Sequence, residues 1–164
     1  GGSRYEVKNV IGYYETAADG KRLLVIKGQV ANLSAKERSG IRVVAAILDG
    51  EGNPLAEHSV YAGNVLPGET VRKMDRQAAE KVFANRFGSG RVSMNVGPGK
   101  SIPFMVVFFA PPDPVEAFTV QATDVNEPGT PPEPEGKGSG LPSVSHRTIP
   151  VRSGRPPGAG DDGS

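Results

Sequence analysis

The side chains that could carry out chemistry are few in this sequence. Cysteine is absent, which excludes disulfide frameworks, thiolate zinc sites, iron–sulfur clusters and cysteine nucleophiles. The two histidines, His58 and His146, are too few for a multi-histidine metal site. His58 lacks a partner for general-base catalysis, because Glu57 and Ser59 adjoin it in a predicted strand and point to the opposite face. The sequence therefore predicts a protein that is not an enzyme, with no cofactor and no metal site.

One loop superficially resembles a calcium site. Asp49, Glu51 and Asn53 alternate with glycines, but Pro54 occupies the sixth position, where a calcium loop has glycine. Val60 stands where a bidentate glutamate is needed. The cluster of turn residues favours a hairpin turn, and a weak calcium site remains as a minor alternative.

A second loop resembles part of a phosphate-binding loop. Gly99-Lys100-Ser101 matches the end of that motif, but Met94 stands where its first glycine belongs. A phosphate loop is also followed by a helix, whose amides hold the phosphate, whereas a strand pattern follows here. The segment is therefore interpreted as a turn, and nucleotide binding is rejected.

Basic side chains are concentrated between residues 72 and 91, where six basic residues accompany two acidic ones. Arg72 and Arg76 are candidate partner-binding residues, since such a surface could contact an anionic partner. A solvated helix face would give the same pattern. Over the whole chain, 19 Lys and Arg balance 18 Asp and Glu, for a net charge of +1. That balance argues against nucleic acid as a partner and against an acidic disordered regulator.

The pattern of apolar residues predicts an all-β fold. Alternation and β-branched runs bounded by turn residues predict seven strands, at 5–14, 22–33, 41–48, 55–61, 91–96, 102–110 and 115–125. One helix near 71–84 is predicted between them, capped by Thr70 and closed by Gly88. This order indicates an immunoglobulin-like β-sandwich of about seven strands with one inserted helix. The strands that begin at Ile41 and Ile102 are expected to be central, and the first strand an edge.

The composition changes near Asn126, which divides the chain into a domain, 1–125, and a tail, 126–164. The tail contains eight prolines and eight glycines and has too few apolar residues to fold alone, so we expect it to be disordered. Within it, residues 141–153 favour extended structure and could add to a sheet edge. Val144, Ile149 and Val151 are therefore further candidate partner-binding residues, and an entropic linker is the alternative.

The folded part resembles a family of uncharacterised bacterial domains. The similar segments are LVIKGQVANLS at 24–34, IRVVAAILDGEGNPLAE at 41–57, YAGNVLP at 61–67, MNVGPGKSIPFMVVF at 94–108 and FTVQATDV at 118–125. The first contains the Gly-x-Val-x-Asn signature as Gly28, Val30 and Asn32. Members usually follow an N-terminal zinc ribbon and a single membrane helix, and they are similar to extracytoplasmic immunoglobulin-like modules of the FxLYD type.

This resemblance implies a place outside the cytoplasmic membrane, in the periplasm or at the cell surface, and no catalytic residues. Any membrane association would come through an anchor upstream of this chain. We therefore expect a non-enzymatic protein-interaction domain of the bacterial envelope. The alternative is a structural subunit or decoration of a cell-surface assembly, a homo-oligomer in which the tail docks on a neighbouring subunit.

Overall fold

Two antiparallel sheets pack around one apolar core. The computed structural model describes residues 4–113 and 115–124, and residues 147–150 as backbone. The first sheet has the order β1-β2-β5, from β1 (Tyr5–Thr16), β2 (Arg22–Asn32) and β5 (Ser101–Phe109). The second has the order β4-β3-β6-β7, from β3 (Ile41–Leu48), β4 (Pro54–Tyr61), β6 (Ala117–Asp124) and β7 (Arg147–Pro150). The predicted immunoglobulin-like sandwich is confirmed. Strand β4 lies in the second sheet, beside β3.

One of the seven predicted strands, that at 91–96, does not form, and a different segment supplies a strand in its place. Residues 91–96 form no strand. Arg91 ends a short 3-10 turn at Ser89–Arg91, and Val96 forms an isolated bridge with Arg38. Arg91 and Asn95 have φ values of 64° and 55°. These left-handed conformations interrupt an extended chain, so alternation in the sequence could not produce a strand here. The seventh strand is β7, from the segment that the sequence assigned to the tail.

The position of β5 also differs from expectation. The sequence placed it at the centre of a sheet, as it did correctly for β3, but β5 pairs only with β2 among the described strands. Its hydrophobicity has another cause, since β4 and a helix contact it. The five residues from Phe104 to Phe108 are all buried, so β5 is covered although it lies at an edge. The edge position predicted for β1 is confirmed.

The single predicted helix is two helices, α1 (Gly68–Lys73) and α2 (Arg76–Phe83). The break lies at Met74 and Asp75, which are both extended. The Asp75 carboxylate accepts a hydrogen bond from the Ala78 N–H at 2.8 Å and thereby starts a new helix. Thr70 is therefore not a cap, because Pro67 precedes α1. Gly88 lies beyond the end of α2.

The Gly-x-Val-x-Asn signature lies in β2, where packing and burial account for its three residues. A Cβ on Gly28 would lie 2.9 Å from two ring carbons of Phe104, so only glycine allows this approach. Val30 is fully buried in the core, and Asn32 is fully buried at the end of the strand. Each signature residue therefore has a structural role.

Asn32 fastens three segments together at one end of the sandwich. Its side-chain nitrogen donates to the carbonyls of Lys36 and Val96, both at 2.8 Å. Its side-chain oxygen accepts from the N–H and the hydroxyl of Ser34, at 2.9 and 2.7 Å. Its backbone N–H and carbonyl bond to the turn at 97–100, at 2.8 and 2.7 Å. The buried amide is thus fully satisfied, as burial requires.

A charged group beside this amide joins the two sheets. The Asp124 carboxylate, on β6, accepts hydrogen bonds from Arg4 at 2.7 Å, from Arg38 at 3.3 Å and from the Tyr5 hydroxyl on β1. Arg38 also donates to Ser34 at 3.0 Å. Burial, and then the bond to Asp124, raise the pKa of Tyr5 above its usual value, so the phenol stays protonated and remains a donor.

Replacing Asn32 with aspartate should destabilise the domain strongly. The change keeps the shape but removes both donors, so the carbonyls of Lys36 and Val96 would face a buried carboxylate. We expect Asn32→Asp to lower the free energy of unfolding by at least about 2 kcal/mol, measured by urea denaturation at pH 7. Asn9→Asp is the matched control, because Asn9 is exposed and its side chain bonds only Gln29 among the described residues. Equal losses in the two variants would contradict the role of Asn32.

Candidate functional site

The loops that resemble ligand sites are turns. Asp49 accepts from the N–H groups of Glu51 and Asn53, both at 2.9 Å. These backbone hydrogen bonds, that from Asn53 first, hold the pKa of Asp49 below its usual value. The carboxylate is therefore engaged in the β3–β4 hairpin, as the hairpin interpretation predicted. At the other loop, the N–H of Lys100 bonds the carbonyl of Gly97 at 3.0 Å, and the strand β5 follows.

The described part of the chain brings together no group of three or more His, Cys, Asp or Glu side chains that could hold a metal ion. Within the same residues, no helix has both the length and the hydropathy to cross a membrane.

His58 lies half-buried on β4, an edge strand of the second sheet. Its ring packs against that of Phe108, with 5.6 Å between the ring centroids. Burial holds the pKa of His58 below its ordinary value. The charge of Glu80 acts in the opposite direction, and that of Arg76 adds to the effect of burial. The environment thus favours the neutral imidazole, and the structure assigns His58 a packing role against Phe108.

The two candidate arginines lie on different helices and do not form one basic surface. Arg76 begins α2 and pairs with Glu80 at 3.6 Å. Lys73, at the end of α1, pairs similarly with Glu69 at 3.7 Å. These pairs neutralise part of the basic segment. Arg72 has no ion pair with the described residues and lies apart, against the β1–β2 hairpin.

Arg72 contributes to an open cleft between this hairpin and α1, which we call the hairpin cleft. Its volume is about 550 Å³. The two walls are joined by a hydrogen bond of 2.8 Å from the Ala18 N–H to the Arg72 carbonyl. The lining combines the end of β1, the turn after it and one residue each from β2 and α1: Tyr14, Glu15, Thr16, Ala17, Ala18, Arg22 and Arg72.

Sequence reasoning missed Arg22. Its guanidinium carbon lies 4.5 Å from the centre of the Tyr14 ring, within the range of a cation–π interaction. The Asp19-Gly20 turn contains the signal that could have found this pair, because a tight hairpin places Arg22 opposite Thr16. Tyr14 is then its diagonal neighbour on the same face. That Arg72 joins them depends on how α1 docks, which no local pattern indicates.

The candidate tail residues are described in part. Ile149 lies in β7, opposite Phe118 of β6, and the register also pairs Pro150 with Ala117, Thr148 with Thr119, and Arg147 with Val120. For residues 141–153 the sequence allowed either a linker or an added strand, and at 147–150 the structure shows the strand. Val144 and Val151 lie outside the described residues, as does the rest of the segment predicted to be disordered.

The stability of the domain should depend on the protonation of His58. The folded state disfavours the imidazolium, whereas the unfolded chain binds the proton with a pKa near 6.5. Stability relative to His58→Gln is therefore complete above that pH and falls as the pH drops through the lower pKa of the folded state. Urea unfolding of both proteins between pH 7.5 and 5 measures this difference, in which other titrations cancel. A difference that does not change with pH would contradict the assignment.

Two solved structures show a low level of similarity to this chain. A structure described as a "putative lipoprotein from Staphylococcus aureus subsp. aureus NCTC 8325" is 7% identical, with a TM-score of 0.37, covering 91% of this chain and 86% of the other. A penta-heme cytochrome c552 from Thermochromatium tepidum is 12% identical, with a TM-score of 0.31, covering 87% of this chain and 40% of the other. Likenesses at this level carry no functional argument.

No curated protein sequence matches the chain. The model of one protein family does match, and it covers residues 9–122. That range runs from β1 to β6 and contains the Gly28-x-Val30-x-Asn32 signature and both helices. The chain belongs to the family described as "Protein of unknown function (DUF3426)".

Proposed function

We propose that this chain is a non-enzymatic protein-interaction domain that binds partners by strand addition at the edge of β6. The supporting observation is β7. This strand of four residues, Arg147–Pro150, pairs antiparallel with β6. Backbone hydrogen bonds supply the affinity in such an arrangement, and they are available to any extended segment of suitable sequence.

The pairing covers only part of the edge. Strand β6 has eight residues, and β7 pairs with Ala117–Val120. The remaining half, 121–124, has no partner on that side among the described residues. Because a strand at an edge presents unpaired backbone groups, a partner segment could extend the pairing that β7 begins, or replace it.

The connection to β7 allows such replacement. Residues 125–146 join the end of β6 to the start of β7. The distance that they need to cover along the sheet, from Asp124 back to Val120, is only about 13 Å at 3.3 Å per residue. A chain of this length can span up to roughly 70 Å when it is extended. The covalent connection therefore does not force β7 onto its own β6.

We further propose an extracytoplasmic location in the bacterial envelope. The support is the resemblance of segments 24–34, 41–57 and 94–108 to domains that follow a zinc ribbon and a membrane helix. In that setting, the domain would present its sheet edge to other envelope proteins.

The same observation favours a second candidate, a subunit of a cell-surface assembly. If β7 of one copy pairs with β6 of the next, the chain forms a homo-oligomer without any new interface chemistry. The two candidates differ in the source of the added strand, which is a different protein in the first and a second copy in the other.

A reversible lock on β7 tests strand addition in the full chain. Thr119 and Thr148 are direct partners across β6 and β7, and the chain has no native cysteine. The variant Thr119→Cys with Thr148→Cys should therefore form a disulfide. A peptide with the sequence of residues 144–153 should then shift the NMR amide signals of Ala117–Val120 when the protein is reduced. Because the tethered strand competes at an effective concentration of about 1 mM, we expect half-saturation in that range.

Oxidation should abolish these shifts, and reduction should restore them. The control is Ala46→Cys with Glu57→Cys, which locks the β3–β4 hairpin of the same sheet and should leave peptide binding unchanged. Absence of shifts in the reduced protein, or equal shifts after oxidation, would refute strand addition. Disulfide-linked dimers of the first variant that increase with protein concentration would favour the assembly subunit.

A further inference from the structure

We propose that the hairpin cleft binds the carboxylate of a peptide, through Arg22 and Arg72. This site is formed by residues other than those of the β6 edge, and it does not depend on strand addition. Its volume of about 550 Å³ lies within the range of pockets that hold small ligands or short peptide segments.

Arg22 is held in a geometry suited to a carboxylate. Its guanidinium lies over the Tyr14 ring, 4.5 Å from the centroid. A cation–π contact uses no hydrogen bond, so the N–H groups at the edge of the guanidinium can donate to a ligand. That edge matches the two oxygens of a carboxylate. Arg22 has no ion pair with the described residues, so this capacity is not already used.

Arg72 supplies the second cation from the opposite wall. It is half-buried, and its backbone carbonyl is bonded to the Ala18 N–H at 2.8 Å. The bond fixes α1 against the hairpin without using the side chain. Arg72, like Arg22, has no carboxylate partner among the described residues. Two unpaired arginines in one cleft therefore create a positive site whose walls are already positioned.

Glu15 determines which anion fits. Glu15 lines the same cleft, and its carboxylate lies beside Gly68 at the start of α1, where it would repel a highly charged, compact anion such as phosphate. A peptide differs from such an anion, because its amide N–H groups can donate to Glu15 while its carboxylate accepts from the arginines. The three charged residues thus favour a ligand with one negative group and neighbouring donors. The carboxylate can be a chain terminus or the side chain of an aspartate or glutamate.

NMR titration of the full chain with three acetylated tetrapeptides tests this site. The probes are tetra-alanine with a free terminal carboxyl, the same peptide with an amidated terminus, and an amidated peptide in which one alanine is aspartate. We expect the side-chain Nε–H signals of Arg22 and Arg72 to shift saturably with at least one carboxylate peptide. The fully amidated peptide and inorganic phosphate should each bind at least about tenfold more weakly. Comparison of the first and third peptides distinguishes a terminal from a side-chain carboxylate.

Substitutions assign the binding to the two arginines. Arg22→Gln and Arg72→Gln should each weaken the carboxylate peptide at least about tenfold, since a charge-assisted hydrogen bond is lost. Arg86→Gln is the matched control, because Arg86 is exposed and lies 6.0 Å from the Phe87 ring, outside the cleft. The proposal would be overturned if neither carboxylate peptide saturated the protein below about 10 mM. Equal binding by the amidated peptide, or unchanged affinity in both cleft variants, would also overturn it.

Discussion

The sandwich depends on one buried amide, that of Asn32. Burying an amide costs free energy unless its N–H groups and its oxygen find hydrogen-bond partners. Here the partners come from the loop that leads to β3 and from the loop that leads to β5. Satisfying Asn32 therefore fixes where both of these strands begin. The charged group around Asp124 then ties β1 to β6 at the same end.

With that end fixed, the two sheets differ in how their edges are protected. Strand β5 is an edge strand, but β4 and α2 contact it, and its side chains are buried. Strand β6 is instead paired with β7, across four residues. An edge strand that is packed against a helix and the core is a permanent part of the fold, whereas an edge covered by a short strand on a long connection can exchange. This difference makes β6, rather than β5, the edge at which we place partner binding.

Much of the framework could be predicted from the sequence, because local patterns determine it. The apolar run at 41–48 gave the bounds of β3 correctly, and the glycines around Asp49 indicated the turn that forms. Where tertiary contacts decide, the patterns failed. Ser93 is fully buried and its N–H bonds the Phe87 carbonyl, in a loop whose left-handed residues replace the expected strand. The hydrophobicity of β5 reflects its contacts with β4 and α2. The resulting run of apolar residues resembles that of a central strand.

The candidate sites show the same division. Extended preference in residues 141–153 was visible as a run of β-branched side chains, but its pairing partner was not. The hairpin cleft depends on the docking of α1 against the β1–β2 hairpin through Ala18 and Arg72. The break at Asp75 changes the direction of the chain after α1, so Arg72 and Arg76 separate. A pattern that treats them as one helical face could not reveal this.

The central claim is that β7 exchanges on a framework that otherwise stays folded, and native-state hydrogen exchange of the full chain tests it most directly. We predict that the amides of β7, and those of β6 that bond to it, exchange through a local opening. They should do so with a much smaller free energy than the amides shared by β3 and β6, which should open only with global unfolding. If β7 and β3 exchanged with the same free energy and the same dependence on denaturant, β7 would be a permanent part of the sandwich. Partner binding by replacement of β7 on β6 would then be contradicted.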